Sequence, residues 1–405
     1  MADLINESLV VWSASSGGHA KVVQLLLNVS PAAVDVNVAN HDSSTALYQA
    51  CSSGHGTVVR TLLTRGELNV NASSETGCTP LYIASQKGYV EIVRLLLSSS
   101  SSVVKIDVNI PKNSGETPLY TACERGHVDV VHVLLELGHD MDVNQSEQED
   151  GCTPLFMAAQ EGYAEIVRLL LSSNHIDVNQ CTTAQHVTPL YMACMEGHVE
   201  IVRLLLFRND IDANTPTNTN GGQKSPLHIS CANDHVAIVQ LLLERQDIKH
   251  SLNATDEDGC TALWTACEKG HVDIVRLLLS TLNDAVEVNT AEKDGATCLY
   301  VACQEGHVEV VKQLLLKKKI NVNLAVVNGD EKDCTPLIVA CYIGQASVVE
   351  QLLLSNSLDC STLFEGKSAL EWAQPNVRSI GLEFLDEDVD EEGRVRVVEL
   401  FNGVC

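Results

Sequence analysis

Gly77-Cys78-Thr79-Pro80-Leu81-Tyr82-Ile83-Ala84-Ser85-Gln86-Lys87-Gly88-Tyr89-Val90-Glu91-Ile92-Val93-Arg94-Leu95-Leu96-Leu97, closed by Ile106-Asp107-Val108-Asn109, decides the fold because the chain keeps repeating it. Near copies start at Thr117, Thr153, Thr188, Thr261, Thr297 and Thr335, and degraded ones lie around Trp12, Thr45, Ser225 and Ser368. Thr79, Thr117, Thr153 and Thr188 follow one another at intervals of 38, 36 and 35 residues. A constant core with joints of unequal length is the signature of a stacked repeat array.

Each unit specifies two short helices. Thr79 supplies an N-cap hydroxyl, and Pro80 takes the first helical position, where its missing N–H would have had no partner anyway. Leu81, Ala84 and Ser85 share one face, and Gly88 ends the helix in a left-handed conformation that costs glycine little. The second helix runs from Val90 through Leu97. Its apolar face, Ile92, Val93, Leu95 and Leu96, is too broad for one short helix to hide, so it must pack on a neighbouring unit. Asp107-Val108-Asn109 reads as extended chain entering a tight projecting hairpin.

Gly-x-Thr-Pro-Leu, Ala-(Ala/Cys/Ser)-x-x-Gly-His, (Val/Ile)-Val-x-Leu-Leu-Leu and Asp-Val-Asn together resemble the ankyrin repeat. About eleven units cover residues 4–402, with divergent first and last copies such as cap a solenoid. The resemblance implies an all-α, curved, elongated solenoid of stacked helix-turn-helix units with projecting β-hairpin loops. Its hairpin tips and first helices would line a concave face that binds other proteins. It implies no catalysis and no cofactor. The 405 residues are expected to form a single repeat domain, with 1–40 as the N-terminal capping repeat, 41–359 as the central repeats and 360–405 as a C-terminal capping repeat carrying an acidic insertion.

Composition narrows the partner. Aromatic residues make up only 4 % of the chain, so the core is a strip of Leu, Val, Ile and Ala. The formal charge of −27 argues against binding the nucleic-acid backbone, which needs a clustered cationic face. The one basic run, Lys317-Lys318-Lys319, reads as a solvated helix end favoured by the helix dipole. There is no basic leader and no apolar span of ~20 residues, so membrane insertion is not expected. The second residue is Ala2 where a myristoyl anchor needs glycine, and the chain ends without a C-a-a-X arrangement, so no lipid anchor is expected either.

Residue types that would suggest chemistry fall into register with the repeat. Of the fifteen cysteines, Cys51, Cys123, Cys194, Cys231, Cys267, Cys303 and Cys341 occupy one small position in the first helix. Cys78, Cys152, Cys260 and Cys334 occupy the position before the N-cap. An odd total without Cys-x-x-Cys argues against a zinc framework and fits free thiols in a reducing compartment, here the cytoplasm, with the nucleus also open. His19, His55, His127, His198, His235, His271 and His307 recur at the inter-helix turn, where Tyr89 and Tyr163 replace them. A residue that tyrosine can replace is structural. Gly366-Lys367-Ser368 ends like a phosphate loop, but its first glycine would fall at Ser361, so it reads as a helix start. Asp386, Asp388 and Asp390 alternate like calcium ligands, but Glu391 stands where the loop needs glycine and Val397 where it needs a bidentate carboxylate. The stretch reads as an acidic insertion between a last first helix at 369–374 and its partner at 394–401.

Two features are not absorbed by the repeat. An aromatic follows the Thr-Pro-Leu signature at Trp12, Tyr48, Tyr82, Tyr120, Phe156, Tyr191, Trp264 and Tyr300, with His228 the one histidine: eight of the sixteen aromatics stand in one column. These rings either pack between units or form a partly exposed ladder that grips an extended peptide, centred on Tyr120, Phe156 and Tyr191. Some joints are also long, namely 98–104 and 280–286 after second helices, and 214–224 and 323–333 in hairpins.

The expected function is a non-catalytic interaction scaffold or adaptor, acting as a monomer. The alternative is a substrate receptor or regulatory subunit of a larger enzyme complex such as a ubiquitin ligase. Contact residues should be those that vary between otherwise identical units. They are the tips Pro111, Lys112 and Asn113; Glu147, Glu149 and Asp150; Gln185 and His186; Asn220, Gln223 and Lys224; Asp256, Glu257 and Asp258; Glu292, Lys293 and Asp294; and Asp330, Glu331 and Lys332. Most are acidic, so a partner segment bearing Lys or Arg is expected.

Overall fold

The computed structural model describes every residue except 1, 30–33, 99–104, 139, 219–221, 282–284, 330, 376–388 and 405. Among the described residues its regular structure is helical, apart from the antiparallel pair Leu363–Phe364 and Lys367–Ser368 and isolated bridges such as Ala39 to Thr45, Thr255 to Thr261 and Ala291 to Thr297. The chain folds as two compact units, Met1–Ile211 and Asp212–Cys405.

In the first unit, Thr45, Thr79, Thr117, Thr153 and Thr188 each cap a first helix, the hydroxyl accepting the backbone N–H three residues on. Helix Pro80–Gln86 is followed by helix Val90–Ser98, as the apolar spacing predicts. First helices stack on first helices and second on second along the unit. Ile92, Val93, Val130, Val131, Ile166 and Val167 are all buried in that stack. The second unit repeats the scheme from Ser225 to Thr335, with one addition: helix Gln246–His250 fills the joint before Thr261 and buries Ile248. Its end matches the reading of 366–374 as a helix start. Ser368 caps helix Ala369–Trp372 in a reciprocal capping box with Glu371, and helix Glu391–Val404 follows. The acidic insertion, with Asp386 and Asp388, lies outside the described residues.

Between neighbours, the structure adds bonds the repeat pattern did not announce. Asn71 donates Nδ2–H to Lys105 O (2.9 Å) and accepts Asp107 N–H (3.0 Å). Asn109 joins Asp140 and Asp142 in the same way, and Asn144 joins His175 and Asp177. In the second unit Asn253, Asn289 and Asn323 do likewise. The asparagine of Asp-Val-Asn therefore stitches one unit to the next, while the aspartate holds the local turn, as Asp107 does by accepting Asn109 N–H. Replacing Asn144 by Ala removes two such bonds and should cost ~1–2 kcal/mol in urea unfolding. A change within error would mean that water replaces the ladder at no cost.

The inter-helix histidines are structural. His55, His127 and His198 donate Nε2–H to Ser16, Gln86 and Gln160 carbonyls of the preceding unit, each at 3.0 Å. His271 and His307 do the same to Ala232 and Glu268. At Gly88 (φ +73°) a Cβ would meet the His127 ring at 2.8 Å, so this turn needs glycine for its conformation and for its neighbour's ring. Tyr163 occupies the corresponding place over Gly126, which explains why tyrosine substitutes. The seven in-register cysteines, Cys51 among them, are fully buried. Lys317 donates to Leu279 O, as Arg65 and Arg208 donate to Leu27 and Leu171 O, so its run ties down the end of the preceding second helix.

Candidate functional site

The hairpin tips are turns more than ladders. In the unit led by Thr261, Asp256 N–H donates to Cys260 O (2.9 Å), and the Asp256 carboxylate accepts Asp258 N–H (3.0 Å) and Cys260 N–H (2.9 Å). Asp256 is only 8 % exposed. Its expected role as a partner contact is therefore corrected: its charge is committed to the turn. Glu147, accepting from Glu149, Asp150 and Cys152 N–H, and Glu292, accepting from Ala296 N–H, hold the same station half-buried. The signal was present as an acceptor side chain five or six residues before the N-cap threonine.

Each tip also leans on the next. Asn113 N–H donates to Thr76 O and its side-chain amide to Glu75 O, Thr183 N–H to Asp150 O, and Lys293 N–H to Asp258 O. These bonds use up the inner edge of the turns, which is why few of them extend into strands. Lys112 is held to Glu116 (2.7 Å) and lies half-buried beside Pro111. What remains exposed is the outer edge: Asn113, Glu149, Asp150, Gln185, His186, Gln223, Glu257, Asp258, Lys293, Asp294 and Lys332. Lys224 is half-buried, and Asn220 and Asp330 lie outside the described residues.

The aromatic column packs between units. Tyr82, Tyr120, Phe156, Tyr191 and Tyr300 are buried, so the partly exposed ladder expected at Tyr120, Phe156 and Tyr191 is not what the structure presents. The reason is spacing: stacked first helices close over a flat ring and gain its apolar area. Burial pushes the Tyr120 hydroxyl above its ordinary pKa. Rings that carry an N–H spend it on the following unit. Trp12 Nε1 donates to Ser44 O (2.9 Å), His228 Nε2 to Cys260 O (3.1 Å) and Trp264 Nε1 to Ala296 O (2.9 Å). Burial also lowers the pKa of His228, which suits a neutral ring in that place. Trp12, Tyr48 and Trp264 alone in the column are half-exposed.

Beside Trp264 the second unit opens into a cavity of about 370 Å³, walled by successive tips and first helices. Tyr300 O–H donates to the Glu331 carboxylate, which the cavity also contains. Burial, and after it the charges of Glu292 and Asp294, raise the Glu331 carboxyl above the ordinary range, although the Tyr300 bond opposes this. The cavity had no sequence signal, because its walls come from residues as far apart as Trp264 and Glu331.

Among the described residues, no helix is long and apolar enough to cross a membrane. Four overlapping segments, 10–109, 100–182, 174–252 and 248–326, match the family model described as ankyrin repeats in three copies. No curated protein matches the chain.

Proposed function

The chain belongs to the ankyrin repeat family, whose repeats are generally protein–protein interaction modules, and on that premise we propose that it is a non-catalytic scaffold or adaptor. It binds a partner protein, as a monomer in the cytoplasm, through the outer edge of its tips and the adjoining first helices. One observation carries the reading: residues that recur from unit to unit are occupied by capping, stitching and packing, whereas most of the described residues that vary at the tips, Glu149, Asp150, Glu257, Asp258 and Asp294 among them, are exposed. Free thiols at all fourteen described cysteines suit a reducing compartment.

The exposed edge is acidic at Glu149, Asp150, Glu257, Asp258 and Asp294, which suits a partner segment bearing Lys or Arg. The exposed pair of Lys293 with Asp258 (3.5 Å) contributes at most ~1 kcal/mol and yields readily to a competing cation. Co-purification with mass spectrometry identifies the partner. Reversing Glu257 and Asp258 to lysine should then weaken binding by about tenfold or more at low salt and flatten its salt dependence, leaving the helical signal and melting unchanged. Wild-type affinity and salt dependence in this variant would move the contact away from the tips.

A further inference from the structure

We propose that the cavity beside Trp264 receives the guanidinium of an arginine presented by an extended segment of the partner protein. The inference deepens the scaffold reading and rests on it.

The cavity's size lies within the ~300–1,000 Å³ span of clefts that enclose a small ligand. Its aromatic wall is fixed, since the Trp264 indole is tied by its N–H to Ala296 O and cannot swing away. The rest of the lining includes Glu268, Glu292, Asp294, Glu305 and Glu331, with no Lys, Arg or His among the described residues. Lys269 sits against Glu268 (3.4 Å) and Lys293 turns toward Asp258. Among the described residues no ion pair reaches the other four carboxylates. Tyr300 holds Glu331 in place.

The chemistry of the occupant follows from these walls. An apolar side chain would strand carboxylates without water. The described carboxylates are too dispersed to gather around a metal ion: no group of three or more potential ligands converges here. A planar cation meets both demands, stacking on the indole while its fork of N–H groups pairs with separated carboxylates, which a lysine ammonium cannot do. The chain already seats one cation on an indole, Lys367 Nζ lying 4.1 Å from the centre of the Trp372 ring.

The test uses the full chain labelled with 5-fluorotryptophan, whose three tryptophans give three fluorine signals, Trp264 being assigned by its loss in Trp264→Phe. The probe is the blocked pentapeptide Gly-Gly-Arg-Gly-Gly. It should shift the Trp264 signal and leave those of Trp12 and Trp372 in place. Lysine and citrulline versions should need about tenfold higher concentration for the same shift, as should the arginine peptide against the double variant Glu292→Gln, Glu331→Gln. No shift, an equal shift with citrulline, or an unchanged midpoint in the double variant overturns the proposal. Binding of the identified partner separates the two readings. Loss in the tip variant with wild-type binding in Trp264→Phe and the double variant sinks the cavity alone, whereas a chain that captures no protein yet titrates with the arginine peptide sinks the scaffold.

Discussion

Replacing Gly393 by Ala should unseat helix Glu391–Val404 and lower the stability of the second unit by ~3 kcal/mol. In isolation the substitution favours a helix, since glycine in a helix interior costs ~1 kcal/mol relative to alanine. Packing reverses the sign. A Cβ at Gly393 would lie 2.0 Å from Gly344 O, and one at Gly344 would lie 2.2 Å from Asp390 O, so two backbones meet where neither tolerates a side chain. Asp390 N–H donates to Ile343 O (2.6 Å) at the same crossing. The next residue, Arg394, is fully buried, its guanidinium 4.6 Å from the centre of the Tyr342 ring and its Nε donating to Tyr342 O. Tyr342 in turn takes the Trp372 ring edge-on at 5.7 Å. Hydrogen exchange should show residues 391–404 losing protection while the first unit keeps its own. Gly66→Ala, whose added Cβ meets nothing within 4 Å, is the control and should be neutral or slightly stabilising. Full protection of 391–404 in Gly393→Ala would refute this crossing.

Replacing Leu205 by Ala should cost ~2–5 kcal/mol. Leu205 is fully buried in helix Val199–Leu206, which stacks on helix Ala164–Leu171. Removing three carbons leaves a void that short helices, held between the units packed on either side, cannot collapse to fill. Because each unit touches only its neighbours, the damage should stay local. Exchange protection should fall first in helices Ala164–Leu171 and Pro189–Glu196, and least around Thr45. Uniform loss along the whole chain would contradict a one-dimensional array.

Much of the fold was legible because its causes are local. Thr79-Pro80 names a helix start, Gly88 its end and Leu95-Leu96-Leu97 a face that needs a neighbour, all within about twenty residues. Capping, propensity and periodicity act over that range, and repetition confirms each reading in the next copy. Reading the recurrent histidines and cysteines as structural rested on the same register, and their bonds and burial agree with it.

The candidate site was legible only in outline. That the varying residues form an exposed edge follows from elimination, but which of them face solvent depends on bonds the sequence does not display. Asp256 and Asp258 look alike in sequence; one folds inward to accept two backbone N–H groups and the other stays outside. The aromatic column looks alike too, yet the spacing of stacked first helices buries Tyr120, Phe156 and Tyr191 and leaves Trp264 half-exposed at a cavity. Asn71 and Lys105, and Gly344 and Gly393, meet across 34 and 49 residues of chain, and Trp264 and Glu331, 67 residues apart, line one cavity. The sequence by itself determined the repeat, the paired helices and the class of surface, because those rest on hydrogen bonds and apolar stripes within one unit. Only the tertiary structure decided which charges are free, which rings are hidden and where a cavity opens, because each of those is settled by the unit that packs alongside.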